Sequence, residues 1–186
     1  MDLEQEQHLV ERAGNDIEAF GELYDRYYSQ IFGYVLRRTA DIRTAQDITS
    51  DVFFKAMKNL GKFKWRGIPY SSWLFRIATH EIANNSRKSK HNLLSLEEFP
   101  DSINISDNSS AEDEIIEAEA ELKRHEEYLA LHKNLSGLSV KYQEVITLRF
   151  FENKQIKEIG EILGKQEGTI KSLLHRGLKK LKNQME

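Results

Sequence analysis

The sequence predicts an all-α protein made of two small helical domains, an N-terminal bundle and a C-terminal helix-turn-helix domain, joined by an acidic linker. Three observations lead there. Apolar residues recur at three- and four-residue spacing on both sides of the middle of the chain. Pro and Gly are scarce, 2 and 10 in 186 residues, which suits long helices. The period is lost over residues 91–111, HNLLSLEEFPDSINISDNSSA, where Pro, Asn, Ser and Asp cluster, and this divides the chain in two. The expected division is 1–92, a linker over 93–127, and 128–186.

Residues 15–38, NDIEAFGELYDRYYSQIFGYVLRR, set Ile17, Phe20, Leu23, Tyr24, Tyr27, Ile31, Tyr34 and Val35 along one helical stripe. Residues 44–60 repeat the spacing with Ala45, Ile48, Val52, Ala56 and Leu60. Thr44 is the expected N-cap there and Gly61 the stop. A third helix is expected from Ser71 or Ser72 through WLFRIATHEIANNSRK, with Trp73, Leu74, Ile77, Ala78 and Ile82 facing inward. With a frayed helix at 2–13, these form one small bundle. Past the linker, Ser109 followed by Glu112 makes a capping-box pattern that opens an acidic helix from about 111 to 134. Three more helices are expected in LSVKYQEVITLRFF, QIKEIGEIL and EGTIKSLLHRGLKKLKNQ.

Charge is distributed unevenly. The chain carries net −3, but its segments run −6 over 1–53, +8 over 54–91, −10 over 92–127, +1 over 128–163 and +4 over 164–186. Two basic blocks flank one strongly acidic block. That asymmetry points to an anionic partner touched at two places, although a charge run can also be a solvated face. Two grips on one tether gain avidity when both sites can be reached at once.

Enzyme chemistry finds little support. HEIAN, His80–Asn84, begins like a zinc-protease helix, but Asn84 stands where the second His is needed, so the metal site cannot close. His125 and His132 stand seven apart without neighbouring ligands. There is no Cys and no glycine-rich phosphate loop, and the acidic EDEIIEAEAE run reads as solvated surface. No catalytic residue, metal or cofactor is expected. No apolar run approaches the ~18 residues of a membrane span, and MDLEQEQHLVER lacks the basic and apolar parts of a signal peptide. A cytoplasmic protein without membrane insertion is expected.

Two constellations remain. Ile156, Ile159 and Leu163 precede Gly164, and Ile170, Leu174, Leu178 and Leu181 follow it. Gly160 inside the first helix costs ~1 kcal/mol against Ala, which a close helix–helix approach would explain. This is helix-turn-helix spacing, in which the second helix enters the major groove by its N-terminal end. Its exposed face would carry Gln166, Glu167, Thr169, Lys171, Ser172, His175, Arg176 and Lys179, residue types that bond base edges or phosphates. An ordinary helical hairpin with a wet face is the alternative. The second constellation is GKFKWRGIPYSSWLFRIATH, 61–80, where Lys62, Lys64, Arg66 and Arg76 alternate with Phe63, Trp65, Tyr70 and Trp73. Aromatics stack bases and cations track phosphates, which suits opened strands more than closed duplex. Trp73 and Phe75 can equally be packing residues, whereas Trp65, in a glycine-bounded loop, is harder to place in a core.

These residues resemble the extracytoplasmic-function group of bacterial sigma factors, from about Phe20 to Lys182 with the linker unmatched. FGELYDRYYSQIFGYV is similar to the family's opening helix, and AQDITSDVFFKA to its polymerase-binding segment. WLFRIATHEIANNSRK is similar to the −10-reading helix, and LRFFENKQIKEIGEILGKQEGTIKSLLHRGLKKL to the −35-reading helix-turn-helix. The resemblance implies a subunit that binds core RNA polymerase through Gln46, Asp47, Asp51, Val52 and Phe53. It implies −10 contacts from Lys62, Phe63, Lys64, Trp65, Arg66, Tyr70, Arg76, His80, Asn84 and Arg87, and −35 contacts from the recognition-helix residues named above. Residues 1–92 would be region 2 and 128–186 region 4. The partners implied are core polymerase, promoter DNA and an anti-sigma factor, which in many members is membrane-bound. Four positions depart from the pattern: His80 replaces an Asn, Leu173 an Arg, Lys165 an apolar residue and Ser139 a Pro. A free-standing helix-turn-helix regulator and an adaptor with merely solvated basic blocks are the rival readings.

Overall fold

A computed structural model describes residues 2–92 and 133–185, with side chains over 2–87 and 133–184. The linker, and the acidic helix as far as residue 132, lie outside the described residues, as do Ser109 and Glu112. Within the described residues the chain is helical, with no strand.

Helix α1 spans Leu3–Ala13. Asp2 starts it with a reciprocal capping box: its carboxylate accepts from the Gln5 N–H at 2.8 Å, and Gln5 Oε1 accepts from the Asp2 N–H at 3.2 Å. Leu9, Val10 and Ala13 are buried, so the helix expected to fray is capped and packed. Helix α2, Ile17–Thr39, is capped by Asp16, which accepts from the Glu18 N–H at 2.9 Å. It buries Ala19, Phe20, Leu23, Ile31, Tyr34 and Val35, while Ile17 of the predicted stripe stays exposed. Helix α3 spans Ile42–Asn59. Its cap is Asp41, whose carboxylate accepts from the Thr44 N–H at 2.6 Å, so Thr44 is the residue capped and not the cap. A short 3₁₀ turn over Leu60–Lys62, which contains Gly61, closes it.

Helix α4 runs Tyr70–Asn92. It begins one residue before the predicted serines, which are buried inside it. Its inward residues are Tyr70, Leu74, Phe75, Ala78 and Ile82, with Trp73 and Ile77 half-buried at the edge. Helix α2 packs on α1, α3 and α4, and α3 on α4.

In the C-terminal unit, α5 covers Val140–Ile146 and widens into a π turn over Thr147–Phe151. There the Glu152 N–H reaches the Thr147 carbonyl at 3.1 Å, and the Lys154 N–H reaches that of Leu148 at 2.9 Å. Such turns re-aim side chains and are common at functional places. Helices α6, Ile156–Leu163, and α7, Glu167–Met185, follow. Helix α7 packs against both α5 and α6.

The two units touch, α6 against α4 and the π turn against α2. Arg37 pairs with Glu152 at 3.0 Å and lies 5.4 Å over the Phe151 ring. Lys154 Nζ donates to Ser71 Oγ at 2.7 Å and lies 5.1 Å over the Phe75 ring. Arg66 meets Glu161 at 3.4 Å. The tether reading gave no sign of this contact.

Candidate nucleic-acid and protein interfaces

The loop after α3 folds back along α4 and leaves a cleft of about 540 Å³ between them. Residues three and four apart share one helix face, so Trp73, Arg76, Ile77 and His80 of α4 form one wall. Lys62, Phe63, Lys64 and Arg66 come from the loop. Six of the ten residues predicted for −10 DNA therefore line one cavity: Lys62, Phe63, Lys64, Arg66, Arg76 and His80. Trp65 stands beside it, edge-on to Phe63 with centroids 6.3 Å apart. Tyr70 is buried behind the wall, its ring 5.4 Å from Phe63 and 5.5 Å from Trp73, so it supports the cleft without lining it. Asn84 lies in a neighbouring groove with Asp47 and Asp51. Arg87 is exposed further along α4 and bonds back to the Ala83 carbonyl at 3.3 Å. Phe75 is fully buried and belongs to the core.

Sequence reasoning missed Lys55, Asn59, Ser72 and Glu161 in the cleft lining. Ser72 is buried, and its hydroxyl has no protein hydrogen-bond partner. A buried hydroxyl without a partner is costly to the fold. Lys55 is paired with Glu81 at 2.5 Å and Arg66 with Glu161. Lys62, Lys64 and Arg76 have no carboxylate partner among the described residues. The cleft thus offers aromatic faces and uncompensated positive charge, as a single strand requires.

Buried charge gathers where the two units meet. Burial pushes the Glu152 carboxyl above its ordinary value, with Arg37 and then Lys154 drawing it back. Burial raises Glu144 as well, against Arg38, Lys165 and His80. Burial pushes the Lys154 ammonium down, opposed by Glu158, Glu152 and Glu6. The Tyr27 and Tyr70 phenols are both raised, first by burial and then by Glu6, so they remain neutral.

The polymerase set on α3 divides by face. Gln46, Asp47 and Asp51 are exposed, but Val52 and Phe53 are buried, Phe53 against the rings of Tyr24 and Tyr28. The exposed apolar group beside the acidic residues is Phe54, 51% exposed, with the Lys58 ammonium 4.6 Å from its ring centre. The missed signal is periodicity: Asp47, Asp51, Phe54 and Lys58 share one helical face.

All eight residues predicted for −35 DNA, Gln166, Glu167, Thr169, Lys171, Ser172, His175, Arg176 and Lys179, are exposed. Ile170 and Leu174 hold the opposite face of α7 in the core, while Leu178 is exposed. The turn before it depends on two glycines. Gly164 ends α6 in the left-handed region at φ 62°. A Cβ on Gly160 would lie 2.8 Å from the Lys165 carbonyl oxygen. The close approach predicted at Gly160 is real, but its partner is the turn backbone and not the second helix.

Comparison with known proteins places the chain. The Sigma-70 region 2 family matches residues 23–92, and the Sigma-70, region 4 family matches residues 128–181. The chain is 32% identical over 175 residues to the ECF RNA polymerase sigma factor BldN of Streptomyces coelicolor, covering 93% of this chain and 63% of that protein. It is 31% identical over 170 residues to the RNA polymerase sigma factor YlaC of Bacillus subtilis, covering 90% and 92%. To the ECF sigma factor SigW of the same bacterium it is 28% identical over 170 residues, covering 91% and 90%. Its fold is similar to that of CnrH, solved in complex with the cytosolic domain of CnrY: TM-score 0.71, 19% identity, 97% and 96% covered.

Proposed function

The chain belongs to the extracytoplasmic-function group of RNA polymerase sigma factors, and from that premise we propose how its parts divide the work of promoter recognition. It directs RNA polymerase to promoters. In our reading, residues 1–92 act as region 2 and 128–186 as region 4, joined by the acidic linker at 93–127. The α3 face of Gln46, Asp47 and Asp51 docks on core polymerase, with Val52 and Phe53 holding that face from beneath. The loop–α4 cleft takes unpaired −10 bases against the packed Phe63 and Trp73 rings, while Lys62, Lys64 and Arg76 hold phosphates. The face of α7 lies in the duplex major groove at −35.

The observation that carries this reading is the convergence of cations and aromatics in one cleft, on a chain that also presents a recognition helix with its polar face exposed. A free-standing helix-turn-helix regulator would leave the cleft and the α3 face without a use. The protein works as a binding subunit with no chemistry of its own, in the cytoplasm, where core polymerase is found. CnrH was solved with CnrY, and a second sigma factor of similar fold (TM-score 0.64, 20% identity, 88% of this chain and 94% of that one covered) with the anti-sigma factor NepR of Bartonella quintana. A protein inhibitor of that kind is the third partner.

The experiment mixes the protein with core polymerase and a genomic promoter library, then maps transcript starts. New starts that depend on the protein support the reading. No dependent start, together with no binding to core polymerase, refutes it.

A further inference from the structure

We propose that Glu6 is the positioning residue of the −10-reading helix: its carboxylate, supplied by α1, holds the first residue of α4 and through it the aromatic wall of the cleft. The inference rests on the reading of that cleft as the site for opened DNA. It starts from a gap in the local sequence. The first N–H groups of any helix lack partners within it, and the preceding residue usually supplies a side-chain acceptor. Here that residue is Pro69, which has none. Ser71 and Ser72, the hydroxyl residues nearby, lie inside the helix, past the capping position. The Tyr70 side chain is fully buried, and its N–H donates to Glu6 Oε1 at 2.9 Å. The cap therefore comes from a helix 64 positions earlier in the chain.

The geometry around Glu6 is specific. Glu6 is 5% exposed, although Glu4 and Gln5 just before it are exposed. A buried carboxylate needs a hydrogen-bond donor at each step, or its burial is costly. The Tyr27 hydroxyl donates to the same oxygen, which fixes the carboxylate's orientation. Negative charge at a helix N-terminus is also favourable to the helix dipole. What Glu6 holds then passes on through packed rings. Tyr70 meets Phe63 edge-on at 5.4 Å and Trp73 at 5.5 Å, and Phe63 and Trp73 are 4.9 Å apart. Those two rings line the cleft. Interiors this closely packed transmit displacement, so releasing the first turn of α4 shifts the stacking surface.

The test compares Glu6→Ala, Glu6→Gln and Tyr27→Phe in the full chain. One probe is a labelled single-stranded oligonucleotide spanning the −10 region of a mapped promoter, bound with core polymerase present. The other is tryptophan emission of the free protein, because the chain's 2 Trp, Trp65 and Trp73, both stand at this cleft. Glu6→Ala is expected to weaken strand binding roughly tenfold and to shift the emission, with core and −35 duplex affinities within about twofold of wild type. Glu6→Gln keeps an oxygen for the Tyr70 N–H and should restore strand binding to within about threefold. Tyr27→Phe leaves that bond in place and should stay within about twofold. Three results overturn the proposal: a Glu6→Ala protein that binds the strand normally, one that loses core and duplex binding equally, or no rescue by Gln. If Glu6→Ala does not fold, Glu6→Asp withdraws the acceptor by one methylene, and wild-type strand affinity in that variant overturns the proposal as well. If the wild type itself binds no strand while the emission shift and Gln rescue persist, the reading of the cleft fails and the positioning by Glu6 stands.

Discussion

The cleft and the recognition helix are both cationic, yet they are built on opposite plans. Helix α7 presents its polar face wholly to solvent, with Ile170 and Leu174 anchoring the other side. A duplex can meet it as a rigid cylinder, and no other element of the described chain stands in front of that face. The cleft is recessed, walled by half-buried rings, and touched by the other unit: Glu161 of α6 lines it and pairs with Arg66. A helix that reads duplex needs only exposure, whereas a site for unpaired bases needs faces to stack on and walls to exclude water. On the proposed roles, this difference accounts for the aromatic residues at the cleft and their absence from α7.

The comparison breaks first at its charges. Replacing Lys62, Lys64 and Arg76 together by Ala should reduce binding of single-stranded −10 DNA by the polymerase complex roughly a hundredfold. Binding of −35 duplex by the free chain should change little. The counterpart, Lys171→Ala with Arg176→Ala, should weaken duplex binding on the order of tenfold or more and flatten its salt dependence, leaving strand binding intact. Filter or anisotropy titrations at several salt concentrations separate the two. Equal losses at both probes from either variant would mean one continuous surface instead of two grips.

The next prediction concerns the contact between units. Arg37→Ala leaves the buried Glu152 without its first partner, at a cost of about 1–3 kcal/mol. The sign with pH follows from the direction of the shift. The Glu152 carboxyl is already raised by burial, and losing Arg37 raises it further. The charged form is the penalised one, so the stability deficit should be larger at pH 7.5 than at pH 5, because the raised carboxyl is relieved by taking up its proton as pH falls. Thermal denaturation at both values checks this.

Two smaller effects sharpen the contrast. Gly160→Ala gains helix propensity but sets a methyl against the Lys165 carbonyl, a backbone atom that cannot swing aside. A net loss of about 1–2 kcal/mol in urea unfolding is expected, with weaker duplex binding as the turn shifts. Glu161→Gln removes an ion pair whose side chains are 67% and 40% exposed. Its effect should be small, a gain of about two- to threefold in strand binding by the free protein that vanishes at high salt.

Much of this was legible from local pattern. The stripes of α2 and α3, the turn at Gly164, the strain tolerated at Gly160 and the exposed face of α7 all follow from spacing and from properties of single residues. The illegible parts are non-local. Asp41 and Thr44 both suit an N-cap, and only the backbone at Asp41 (extended, φ −131°) settles which one serves. Glu6 reads as one more solvated acid in LEQEQ until its partners, 21 and 64 positions away, are known. Lys154 and Glu152 look like surface charges in FENKQ, but the π turn carries them under the other unit. Val52 and Phe53 fit the polymerase-binding segment by resemblance, and their burial beneath its exposed face could not be read from that match.

The most direct test of the two-grip account is footprinting of the polymerase complex on a mapped promoter with two probes, permanganate, which marks unpaired thymines, and a nuclease, which reads protection of the −35 duplex. The account predicts that the Lys62, Lys64 and Arg76 triple variant still protects the −35 duplex while the −10 thymines stay unreactive. The Lys171 and Arg176 variant should protect the −35 duplex only at roughly tenfold or more higher concentration. A cleft variant that opens the −10 region as fast and as fully as wild type would contradict the account.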